Sequence, residues 1–165
     1  MGIRNLVLRQ FSQSIAPPLQ GSSTSITCNS QVDMEVTADG GTHWQAASTS
    51  GTIGLQIVCR LGSTGGTEYY DTEMVQMSVG GGTMPQMWLL RESPTKASLG
   101  RMTQTSNGNG SFTIDSFFDV FTELSTDGGN AWQPVLSGPL PVQLDAPPPL
   151  TLTCPQDITT RALYT

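Results

Sequence analysis

One phrase occurs twice in this chain, first as Thr37-Ala-Asp-Gly-Gly-Thr-His-Trp44-Gln45 and again as Ser125-Thr-Asp-Gly-Gly-Asn-Ala-Trp132-Gln133. Its flanks match as well, with Val32, Met34, Glu35 and Val36 opposite Val120, Thr122, Glu123 and Leu124. Each Asp-Gly-Gly stands between two alternating runs. That is a strong hairpin signal, because a tight turn needs positive φ that Gly supplies without steric cost, while Asp bonds back to its own backbone. Asp39, Gly40 and Gly41, and Asp127, Gly128 and Gly129, are therefore predicted turn residues. The predicted fold is all-β, a β-sandwich built from two related hairpin units over residues 30–58 and 118–145.

Alternation elsewhere agrees with an all-β chain. Residues 3–11 read as a detached N-terminal strand before the breaker Ala16-Pro17-Pro18, and Ile53, Leu55 and Ile57 share one face of a strand. Residues 69–79 and 84–90 read as further strands, 91–100 as a loop with room for one helical turn, and 111–124 as the longest apolar and aromatic stretch. Ala146-Pro-Pro-Pro149 reads as a stiff extended spacer. The expected organisation is an arm over 1–22, a body over 23–147 and a tail over 148–165.

Charge limits the partners. The chain has 165 residues, 12% of them charged, and a formal net charge of −6, against about 25% charged in an ordinary soluble domain. Lys96 is the single lysine. Without a basic patch to neutralise phosphates, nucleic acid and anionic membrane surfaces are disfavoured as partners. No apolar run reaches the roughly 20 residues of a membrane span, so membrane insertion is not expected, and residues 1–9 lack the pattern of a secretory signal. Low charge with abundant Gly, Ser and Thr fits exported β proteins and surfaces that pack on copies of themselves. Cys28 and Cys59 lie near the ends of two apparent strands, compatible with a disulfide, while Cys154 is a free thiol, a partner for one of them, or an intermolecular link.

The hairpin phrase, with Ser or Thr two positions before Asp and Trp five after, resembles the Asp-box hairpin of sialidases and related β-propellers. That resemblance implies that Trp44 and Trp132 are core aromatics packed under their turns, away from any catalytic site. His43 and Ala131 stand where those proteins usually carry Thr. Two boxes at this spacing do not make a propeller, which needs one in most blades. Thr67-Glu-Tyr-Tyr-Asp-Thr-Glu-Met74, Trp88-Leu-Leu-Arg-Glu-Ser-Pro-Thr95 and the run from Ile114 to Gly129 resemble, across residues 67–147, uncharacterised secreted proteins of planctomycete-like environmental bacteria. This implies an extracellular or cell-surface β protein and carries over no activity or ligand. Cys154-Pro-Gln-Asp-Ile-Thr159 resembles the opening of hyalin-repeat immunoglobulin-like modules, which implies descent from a tandem array.

Candidate chemistry is sparse. Asp71, Glu73, Glu92, Asp115, Asp119 and Glu123 offer carboxylate pairs of the kind that hydrolyse glycosides, yet Glu123 and Glu35 occupy equivalent repeat positions, as structural residues do. Clustered carboxylates also suit calcium, though no Asp-x-Asp-x-Asp run is present. No zinc ligand cluster exists. His43, the single histidine, has no Gly-x-Ser-x-Gly partner for a hydrolase triad. Arg91 and Glu92 are charged contact candidates, with an ion pair to Asp71 or Glu73 as one use and a solvated loop pair as the other. Trp88, outside the repeat, is the candidate exposed contact, and Asn109-Gly-Ser111 fits a glycosylation acceptor but also plain turn chemistry.

The expected function is structural and non-enzymatic: an extracellular module that self-assembles into a fibre, tube or surface layer, by exchange of terminal strands. The alternative is a carbohydrate-binding or adhesin module of a bacterial surface protein. The expected partners are copies of the chain, with glycans under the alternative.

Overall fold

Ten strands lie among the described residues, the long ones along the alternating runs. The computed structural model describes residues 1–9, 18–60, 64–108, 112–135 and 139–144. The strands are β1 (Gly2–Arg9), β2 (Ser23–Thr37), β3 (Gln45–Cys59), β4 (Thr67–Gly80), β5 (Leu89–Glu92), β6 (Ser98–Ser106), β7 (Phe112–Val120), β8 (Thr122–Ser125), β9 (Gln133–Pro134) and β10 (Leu140–Leu144). They pair as one large sheet in the order β3-β2-β1-β10-β7-β6-β4-β5-β8-β9, with a further ladder between β3 and β4. The sheet is antiparallel except where β1 meets β10. The sheet curls strongly enough for the β3–β4 ladder to join the two ends of the order β3-β2-β1-β10-β7-β6-β4, and β5, β8 and β9 extend it from β4.

Long strands alternate sharply because one face is core and the other water. Val32, Met34 and Val36 of β2 point inward with Ile53 and Leu55 of β3, Met74, Met77 and Val79 of β4, and Phe118 and Val120 of β7. Gln31, Asp33 and Glu35 alternate with them outward. Gly54 and Leu55 pair with Gln76 and Met74, so Val75 is an extra, 50% exposed residue on β4, and this bulge brings Met77 and Val79 back to the core face. Ile57, Cys59 and Tyr70 form a second, smaller cluster with Ile26 and Met102.

Residues 2–9, expected as a detached arm, are a paired strand inside the sheet. β1 lies between β2 and β10, and Ile3, Leu6 and Leu8 are almost fully buried. The stretch 84–90 contributes only its last residues to a strand, and 91–100 is split between β5 and β6 around a turn. Residues 145–165, with the Pro-rich spacer, Cys154 and the hyalin-like phrase, lie outside the described residues, as does Asn109.

Cys28 and Cys59 are both free thiols, which corrects the expected disulfide. In the β2–β3 ladder Cys28 stands opposite Ile53, whereas the Cys59 amide bonds the Ser22 carbonyl. Six residues of strand at about 3.3 Å each put the two cysteines roughly 20 Å apart, far beyond the ~7 Å Cα limit of a disulfide.

Candidate functional site

The two Asp-Gly-Gly phrases fold as hairpin turns, one joining β2 to β3 and the other β8 to β9. In the first, the Thr37 hydroxyl donates to Asp39 Oδ1 at 2.7 Å and accepts from the Gly41 N–H at 3.1 Å. Asp39 Oδ1 also accepts the N–H groups of Thr42 and His43 at 3.1 and 3.0 Å. In the second, Ser125 donates to Asp127 Oδ1 at 2.7 Å and accepts from Gly129 at 2.8 Å, and Asp127 Oδ1 accepts from Ala131 at 3.0 Å. Gly40 and Gly41, and Gly128 and Gly129, all have positive φ. Hydrogen bonds to the ionised form hold Asp39 well below the usual carboxylate range, first from the His43 amide and then from Thr37, and lower Asp127 through Ala131 and Ser125. His43 also sets Nδ1 against Asp39 Oδ2, in the open.

Each tryptophan closes its own turn. Trp44 Nε1 donates to the Gly41 carbonyl at 3.0 Å and Trp132 Nε1 to that of Gly129 at 3.1 Å. Both rings are half-buried rather than core, and an arginine lies over each: Arg4 and Arg91, both 4.1 Å from the ring centroid. Arg4 Nε donates to Glu35 at 2.6 Å, and Arg91 donates to Glu123 from Nε at 3.0 Å and Nη2 at 2.7 Å. Strand register sets both pairs, Arg4 opposite Glu35 and Arg91 opposite Glu123. The side chain of Asn5, at φ 54°, adds a bond to Glu35 at 2.7 Å.

Arg91 thus pairs with Glu123, not with Asp71 or Glu73, and Asp71 is taken by Arg60, whose Nε donates at 2.7 Å. Glu92 accepts from the buried Ser98 hydroxyl at 3.1 Å, and burial pushes its carboxyl up, with Glu73 and Glu123 adding repulsion. Trp88 is 7% exposed and belongs to the main core, which removes it as a contact residue. Asp115 and Asp119 are exposed on β7. Among the described residues, no three His, Cys, Asp or Glu side chains are grouped to hold a metal, and no helix is long and apolar enough to cross a membrane.

Sequence reasoning missed Arg4. Arg4 precedes Glu35 by 31 residues and Arg91 precedes Glu123 by 32, and that matched spacing was the signal available in the sequence. It also missed an open cleft of about 470 Å³ lined by Asn29, Gln31, Ser48, Ser50 and Gly82 among others. There Ser48 donates to Asp33 at 2.6 Å and Gln31 donates to the same carboxylate at 3.0 Å, and these bonds, with Arg9, lower the Asp33 pKa. At Gly82 a Cβ would collide with the Ser48 carbonyl, so the loop after β4 can lie this close only as glycine.

Comparison of the chain with family models, with curated proteins and with solved structures returns no match.

Proposed function

We propose that this chain is an extracellular structural module that self-associates, not an enzyme. The observation that carries the reading is the use made of its charged side chains. Arg4, Arg9, Arg60 and Arg91 are each tied to a carboxylate of the chain itself, and two of them also brace a turn tryptophan. Charges spent on bracing strands and turns suit a load-bearing or lattice-forming part, whereas catalysis needs titratable groups converging on a cleft. We read the body as two related three-strand units, β1-β2-β3 and β5-β8-β9, in which Arg, Glu, the Asp turn and Trp recur in the same order. The location outside the cell or on its surface is our reading of the resemblance that residues 67–147 bear to secreted proteins.

The test is to purify the chain under non-reducing conditions and follow its size by light scattering and negative-stain electron microscopy as concentration rises. Ordered polymers or concentration-dependent growth are expected; a monomer at every concentration overturns the reading.

The second reading, a glycan-binding module, rests on the open cleft beside Ser48 rather than on Trp88. Gln31 and Ser50 present neutral polar groups there, as a hydroxyl-rich ligand requires. A glycan array on which binding appears and Gln31→Ala removes it would favour this reading over assembly.

A further inference from the structure

One ladder is unlike the rest of the sheet. β1 and β10 run parallel, and among the described residues they pair at Val7 with Gln143 and Leu8 with Leu144 and nowhere else, whereas the ladders on their other sides are antiparallel. Asn5, at φ 54°, interrupts the β1 edge just before that pairing. The two related units are joined differently at β4. That strand stands between β3, the last of the first unit, and β5, the first of the second, and is antiparallel to both. The corresponding place after the second unit lies between β10, which extends the β9 column along β7, and β1. No strand fills it among the described residues, so the outer strands of the two units touch directly.

We propose that the seam between β1 and β10 accepts a strand from a second copy of the chain, its residues 150–154. A strand antiparallel to both would lie between them as β4 lies between β3 and β5. It replaces a short parallel ladder by two antiparallel ones, the more stable pairing. Leu150-Thr-Leu-Thr-Cys154 has the alternation such a strand needs, with Leu150, Leu152 and Cys154 for the core face and Thr151 and Thr153 for the solvent face. Insertion parts the seam by about 4.8 Å, and the two leucines fill the space opened beside Ile3, Leu6, Leu8, Leu140 and Val142, which belong to the main core.

The residues before this strand direct it to another copy and away from its own chain. Ala146, Pro147 and Pro148 each stand before a proline and are kept from the helical region. The run to Pro149 therefore extends roughly 12 Å, at about 3.1 Å per residue, and leaves no turn that would lay Leu150 back on its own β10. In the seam, main-chain bonds to both neighbours give affinity and the alternate side chains fix register, as in other strand additions. The contact is heterologous, tail into seam, so it repeats from copy to copy and builds an open filament. It rests on the self-association reading and names the surface through which copies join.

Sedimentation velocity over a wide concentration range tests tail and seam separately. The samples are wild type, Leu152→Asp, and Val7→Cys/Gln143→Cys/Cys154→Ser, in which oxidation ties β1 to β10 at a register pair, with cooperative unfolding confirming that each folds. Wild type is expected to polymerise, Leu152→Asp to need about tenfold more protein or beyond, and the triple variant to polymerise when reduced and stay monomeric when oxidised. A fluorescent peptide of residues 145–158 should bind the Leu152→Asp chain, whose seam is intact, and not the oxidised triple variant. Polymers indifferent to Leu152→Asp, or to the oxidised seam, overturn this contact while leaving self-association standing. A monomeric wild type that Leu152→Asp destabilises means that the strand enters its own seam, which overturns the second copy as donor. A monomeric wild type that is indifferent to Leu152→Asp and binds no peptide removes the contact together with the structural reading beneath it.

Discussion

Arg91 ties the second hairpin to β5, since its guanidinium lies on Trp132 and donates to Glu123 from both Nε and Nη2. Glu123 is 14% exposed and Arg91 34%, so the pair is shielded enough for its bonds to count. Arg91→Met is expected to lower stability by about 1–2 kcal/mol in urea unfolding; Arg4→Met, at 47% exposure, should cost less, and the reverse order would refute the bracing role. Acid probes the turns. The folded pKa values of Asp39 and Asp127 lie below the unfolded value of about 3.9, so their stabilisation is complete above that value and disappears as pH falls through the folded ones. Asp39→Asn/Asp127→Asn should therefore flatten the stability curve below about pH 4. Glu92 has the opposite sign, because burial raises its folded pKa. Its contribution is full below the unfolded value and is lost as pH rises through the folded one, so Glu92→Gln should gain stability at neutral pH and nothing in acid. The turn residues were legible from sequence because positive φ and Asp bonding are local demands. Arg4 was not sought because its partners are set by strand register, which is not local.

β1 shows what register does to an element. Ile3, Leu6 and Leu8 alternate imperfectly, and the two prolines that follow favoured a detached arm. Asn5 takes up the irregularity: the β1–β2 register shifts between Arg4 and Val7, which lets Ile3, Leu6 and Leu8 all face inward although their spacing is uneven. Leu8 is completely buried, and Leu8→Ala is expected to cost about 3 kcal/mol. Deleting residues 2–9 should abolish the cooperative unfolding transition, since it exposes the inner edges of β2 and β10 together. A truncated chain that still unfolds cooperatively with native near-ultraviolet dichroism would show that the sheet closes without β1. Trp88 failed as a contact residue for a related reason. It lies outside the repeat, but it directly precedes β5, whose Leu90 is fully buried, and joins the same core.

At the scale of the molecule, the sheet is held by ladders between distant parts of the chain and not by a covalent staple. The cysteines test this. Their position on two apparent strands was legible, but a disulfide depends on where each stands along its neighbour, and the long β2–β3 ladder places Cys28 in the main core and Cys59 at the smaller cluster. Burial pushes both thiols up, which suppresses the reactive thiolate and lets free cysteines persist in an oxidising environment. In a Cys154→Ser background, which isolates the pair, a thiol reagent is expected to modify neither residue in the native state and both in denaturant without reductant. The urea midpoint should also be the same with and without reductant, because a bridge closing such a loop contributes about 2–4 kcal/mol and its loss would be plain. A midpoint that falls in reductant, or a denatured chain with no titratable thiol, would mean that β2 and β3 pair in a different register and that the two clusters are one.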